Sequence, residues 1–64
     1  MTDFVVLENL KKKKLLIQVP NICSIEEDDE ADYRLVTYKI NEQLHRYVKV
    51  KETFEEITAK LLSC

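Results

Sequence analysis

Few residues in this 64-residue chain could carry covalent or metal chemistry: one histidine, His45, and two cysteines, Cys23 and Cys64. A thiol enzyme would use Cys23 as nucleophile and His45 as base, with an acid orienting the imidazole. No flanking motif accompanies either residue, and a lone histidine in a turn is ordinarily solvated. A zinc site made of Cys23, His45 and Cys64 would lack the paired C-x-x-C or H-x-x-x-H spacing of structural zinc centres. No catalytic, metal or cofactor role is assigned to these side chains. In a reducing compartment both cysteines stay free thiols, and Cys23 is expected as a small core residue.

Two charge runs offer binding chemistry instead. "KKKK", Lys11, Lys12, Lys13 and Lys14, is wholly basic, and "EEDDEAD" from Glu26 to Asp32 is almost wholly acidic. The lysines could meet an anionic ligand or nucleic acid, although lysines at a hairpin tip also serve as a guard against edge pairing. The acids Glu26, Glu27, Asp28, Asp29 and Glu30 could receive a basic partner. They lack the glycine and the D-x-D-x-D spacing of a calcium loop, so they are read first as a solvated loop. With ten basic and twelve acidic residues the net charge is −2. Nucleic acid is therefore not the default partner, because neutralising phosphates takes a basic face.

The elements that must position these groups follow from residue pattern. "FVVLE" (residues 4–8) and "KLLIQV" (14–19) are β-rich and closely spaced, which predicts an antiparallel hairpin with the lysines in its turn. Leu15, Ile17 and Val19 share one face of the second strand, which Pro20 ends. A bend at Asn21 and a short third strand over 23–27 precede the acidic loop. "YRLVTYKI" (33–40) and "RYVKVK" (46–51) form a second hairpin, with Val48 and Val50 inward and Asn41 as the point of positive φ. No glycine occurs anywhere in the chain, so loops of three to five residues are expected rather than two-residue turns.

Near residue 53 the apolar rhythm changes from every second residue to every third or fourth. Thr53 and Glu56 make the T-x-x-E capping box that opens a helix, and Glu55 and Glu56 suit the positive end of its dipole. Phe54, Ile57 and Leu61 form the apolar stripe, with Thr58 and Leu62 beside it. Lys60 stands in the favourable order to pair with Glu56. A helix this short is not stable alone in water, so its stripe must cover the sheet.

The order strand, basic turn, strand, "P-N-I-x-x-I-E-E", acidic loop, hairpin and "V-K-E-T-x-E-E-I" resembles the small flagellar-operon proteins of the FlbD type. The matching residues are Ile22, Ile25 and Glu26, then Val50, Glu52, Thr53, Glu55, Glu56 and Ile57. The resemblance implies a small non-enzymatic accessory module. This chain departs from that pattern in having no Asn-Gly at its turns, and small phage or mobile-element proteins share the same outline.

The expected architecture is α+β: one 64-residue domain with a bent, barrel-like antiparallel sheet of four or five strands and one C-terminal helix packed on it. Several strands place apolar residues on both faces, which predicts a second buried surface. Val5, Leu7, Leu16, Tyr33 and Leu35 are its expected members, and self-association is the expected use. The function expected is a homo-oligomeric binding or adaptor module. The alternative is an oligomeric binder of a small anionic ligand, a nucleotide or nucleic acid, through Lys11–Lys14. No apolar run reaches the roughly 18 residues of a membrane span, and the start, with Asp3 and no long apolar stretch, does not read as a signal peptide. A cytoplasmic protein without a membrane partner is expected.

Overall fold

The computed structural model describes residues 3–63. Phe4–Glu8 (β1) and Lys14–Gln18 (β2) pair antiparallel, in the register Phe4 with Gln18 through Glu8 with Lys14. One turn of 3₁₀ helix at Val19–Asn21, with Pro20 near its start, turns the chain out of this hairpin. Ile22–Glu27 (β3), Arg34–Asn41 (β4) and Leu44–Val50 (β5) form an antiparallel sheet in the order β3-β4-β5. The helix α1 spans Phe54–Leu62. The fold is thus α+β with antiparallel sheets and a single C-terminal helix. The five strands divide into a sheet of two and a sheet of three, joined by an isolated bridge between Asn9 and Val50. The barrel is not closed.

One apolar cluster draws on both sheets and the helix. Val5, Leu7 and Ile17 come from the first hairpin, Val36, Val48 and Val50 from the second sheet, and Ile57 from α1. Leu15, Val19, Ile22, Ile25, Tyr38 and Leu61 pack around them, half-buried. Alternation puts each buried strand residue two positions from the next, as one-sided burial requires.

The helix begins as its sequence dictates. The Thr53 hydroxyl accepts from the Glu56 N–H at 3.1 Å, and the Glu56 carboxylate accepts from the Thr53 N–H at 3.1 Å. Ile57 is wholly buried, with Thr58 and Leu61 half-buried on its flank. Phe54 and Leu62 stay exposed, so the apolar stripe is narrower than the sequence pattern.

The turns differ from expectation in an instructive way. The first hairpin has the longer loop that a glycine-free chain suggests. Lys12 N–H donates to the Asn9 carbonyl at 3.0 Å, and Asn9 N–H donates to the Lys13 carbonyl at 2.9 Å. Lys12 takes φ 65°, the left-handed position that closes a three-residue hairpin loop and usually holds glycine. The Asn9 side chain secures the loop by accepting from the N–H groups of Lys11 and Lys13. The second hairpin turns in two residues, Glu42 and Gln43, because Asn41 pairs directly with Leu44. Asn41 does not adopt positive φ. Its side chain instead accepts from Gln43 N–H at 2.8 Å, an Asx turn that does the work of a glycine.

Candidate functional site

The expected second surface needs correction at its first two members. Val5 and Leu7 lie in the core, at 4% and 0% exposure. In the hairpin register they stand opposite Ile17 and Leu15, whose side chains face inward. The outward face of β1 carries Phe4, Val6 and Glu8 instead. Opposite these on β2 stand Gln18, Leu16 and Lys14. Phe4 is 46% exposed, Val6 47% and Leu16 66%. Val6 and Leu16 are directly paired and Phe4 lies two positions from Val6 on the same face, so three large, partly exposed apolar side chains stand side by side. Single exposed apolar residues need no explanation, whereas a contiguous set on one sheet face marks an interaction surface.

This patch extends toward the second sheet. A groove of about 300 Å³ runs beside Leu16 and Gln18 and reaches Tyr38 and Ile40 of β4. Ile40 is exposed because the ladder is irregular between Lys39 and Asn41, which removes it from the inward alternation begun at Val36. Tyr33 and Leu35 are half-buried and belong to a different surface. Lys49, opposite Leu35 in the ladder, brings its ammonium 4.9 Å from the centre of the Tyr33 ring. A cation over an aromatic face, with the lysine stem lying along apolar surface, accounts for their partial cover.

The lysine run does not act as a block. All four side chains are exposed in the Asn9–Lys14 region, but of the four only Lys12 and Lys14 line a cleft of about 620 Å³. Lys51 and Lys60 join them, above an apolar floor that includes Phe4, Val6 and Leu10. Sequence proximity could not reveal Lys51; the Asn9–Val50 bridge brings it beside the lysine turn. Glu8 and Glu52 also line this cleft, and Glu52 forms an ion pair with Lys60.

The acidic run is likewise split. Glu26 and Glu27 lie on β3, and Glu27 pairs with Arg34 at 3.3 Å. Asp28 shapes the turn: its side chain accepts from Glu30 N–H and its carbonyl from Ala31 N–H, each at 3.0 Å. Asp29 and Glu30 extend from this turn into solvent. No group of three or more His, Cys, Asp or Glu able to hold a metal occurs among the described residues.

Cys23 is not a core residue. The pairing of β3 with β4 shifts between Ile22 and Ser24, which leaves Cys23 as the extra residue of a bulge, turned outward. Its thiol is free and lies 3.6 Å from the Asn21 carbonyl oxygen. His45 sits on β5 opposite Lys39, so β4 intervenes between the strands that carry the two residues. That is about 9–10 Å of strand spacing, beyond the reach of a thiol–imidazole hydrogen bond. Cys64 lies outside the described residues.

The Glu56 carboxyl is displaced by its place in the helix cap. The Thr53 main-chain N–H, then the Thr53 hydroxyl, hold its carboxyl below the usual glutamate value, and Lys60 and Arg34 add to this. Bonds to the ionised form lower a carboxyl pKa in this way, and their origin here is the helix cap. No helix among the described residues is long and apolar enough to cross a membrane. Compared with family models, curated proteins and solved structures, the chain shows no match.

Proposed function

We propose that this chain is a non-enzymatic protein-interaction module that works in the cytoplasm as a homo-oligomer, in an adaptor or regulatory role. The observation that supports this reading is the adjacent exposure of Phe4, Val6 and Leu16 on the outer face of the first hairpin. Bringing these side chains against a second copy adds apolar burial to a core of seven buried side chains, and domains of this size commonly gain stability from association. The outline shared with FlbD-type accessory proteins agrees with such a role. Light scattering is the direct test. The parent protein is expected at a multiple of its 7.6 kDa mass, and Leu16→Glu at the monomer mass with an unchanged circular dichroism spectrum. A parent that stays monomeric at high concentration removes the proposal.

A second reading rests on the cleft that gathers Lys12, Lys14 and Lys51 over apolar floor residues. In it, the oligomer binds a nucleotide, another small anion or nucleic acid. Binding that weakens steeply with salt and disappears when Lys11–Lys14 become alanine would favour this reading. Undiminished binding in that variant would exclude the lysine turn as its site.

A further inference from the structure

We infer that two copies of this chain join through the outer edges of their β2 strands, antiparallel and centred on Leu16, into one continuous four-stranded sheet β1-β2-β2-β1. The inference rests on the self-association proposed above and gives it a strand pairing, in which the two Leu16 side chains meet at the seam and the outer faces of the two hairpins lie side by side.

The first argument is main-chain direction. Asn9 N–H bonds to the Lys13 carbonyl, and Val19 N–H bonds to the Asp3 carbonyl. Both pairs belong to the register of the hairpin, and hydrogen-bonded pairs in an antiparallel ladder alternate. Val5 with Ile17 and Leu7 with Leu15 are therefore the bonded pairs within it. The N–H groups of Lys14, Leu16 and Gln18 point the other way, and among the described residues no strand pairs with that edge. Such an edge is a template for another strand.

The other edges are less suited to this use. The β3 edge is interrupted by the Cys23 bulge and ends in Glu26 and Glu27. The β5 edge is bridged at Val50 by Asn9. β2 has no bulge and no proline within its five residues.

The second argument is what a two-fold axis at Leu16 brings together. Leu16 faces Leu16 of the second copy, and Lys14 faces Gln18 in both directions. The central outward row of the joined sheet then reads Val6, Leu16, Leu16, Val6, all apolar. The rows on either side read Glu8, Lys14, Gln18, Phe4, so no like charges stand opposite one another. Lys14 keeps Glu8 as its cross-strand neighbour within its own hairpin. On the inward face the rows read Leu7, Leu15, Ile17, Val5, which continues each core into the other and covers the half-buried Leu15. Shifting the axis by one residue, to Leu15, would set Lys14 against Leu16 and Lys13 against Ile17. That register puts charged side chains directly opposite apolar ones in the joined sheet.

Disulfide trapping tests this register. In a Cys23→Ser, Cys64→Ser background, Lys14→Cys and Gln18→Cys are made as separate single variants and mixed under oxidised glutathione. The mixture is expected to cross-link about tenfold faster than either variant alone, because paired thiols act at high effective concentration. Directly opposed strand residues fall within the Cα separation that a disulfide spans. A dimer by light scattering whose mixture cross-links no faster than the single variants overturns the β2 register while leaving self-association standing. A monomer by light scattering overturns both.

Discussion

The ammonium of Lys60 donates to the main-chain carbonyl of Val6 at 3.0 Å, across 54 positions of sequence. The same ammonium pairs with Glu52. It therefore ties the helix to β1 on the side of that strand away from β2, and it occupies a carbonyl that an edge would otherwise present. Hydrogen bonds to charged groups contribute about 1.5–3 kcal/mol, but the Lys60 side chain is 42% exposed and solvent screens part of this. Lys60→Met is expected to lower stability by about 1 kcal/mol. Urea unfolding should show a lower midpoint with unchanged slope. An unchanged midpoint would show that the tie is not a stability element.

Ile57 is the only fully buried residue that α1 contributes among the described residues, and it belongs to the apolar cluster that draws on both sheets. Truncating a buried isoleucine to alanine costs about 2–5 kcal/mol. A domain of this length has little more than that in total, since one small core supplies roughly 3–5 kcal/mol. Ile57→Ala should leave the chain largely unfolded at 37 °C, whereas Leu62→Ala, on an exposed side chain of the same helix, should be neutral. Thermal melts followed by circular dichroism separate the two.

Lys12 supplies the left-handed residue of the first hairpin turn at φ 65°. For an L-residue that conformation costs about 1–2 kcal/mol, and glycine adopts it without this cost. Glycine also has more freedom to lose on folding, which offsets part of the gain. Lys12→Gly is expected to stabilise the fold by about 0.5–1 kcal/mol, raising the melting midpoint by about 3–6 °C in a domain this small. Lys11→Gly, at a neighbouring position without positive φ, should bring no gain. Equal effects at the two positions would argue against the turn geometry.

Much of this architecture is legible in the sequence because it is locally encoded. Thr53 and Glu56 announce the helix start, and both reciprocal bonds are made. The alternation in "YRLVTYKI" and "RYVKVK" gives the second hairpin, and Pro20 marks the end of β2. The features that were not legible depend on register or on distant partners. Both faces of "FVVL" are apolar, so only the pairing of Glu8 with Lys14 decides that Val5 and Leu7 turn inward while Phe4 and Val6 turn out. A loop one residue longer would reverse that choice. Cys23 is exposed because a bulge inserts it between paired residues, which no local pattern predicts. Lys60 stands four residues after Glu56, yet Glu56 turns its carboxylate back to the cap and Lys60 reaches Glu52. Likewise Lys51 joins the lysine turn through the Asn9–Val50 bridge alone.

The cap gives a prediction in pH. The Thr53 main-chain N–H, the Thr53 hydroxyl and then Lys60 and Arg34 favour the ionised Glu56 carboxylate in the folded chain, so its pKa lies below the usual 4.5. A carboxyl depressed on folding binds its proton more readily in the unfolded state. Its stabilising effect is complete above the unfolded value and disappears as pH falls through the folded value. Glu56→Gln keeps an acceptor for the Thr53 N–H, as a capping box permits, but removes the charge. The variant should melt below the parent at pH 7, and the gap should close as the pH drops from 4.5 to beneath the folded pKa. Carbon-13 titration of the Glu56 carboxyl locates that lower limit independently. A gap that persists unchanged into acid would assign the loss to altered packing at the helix start rather than to the charge.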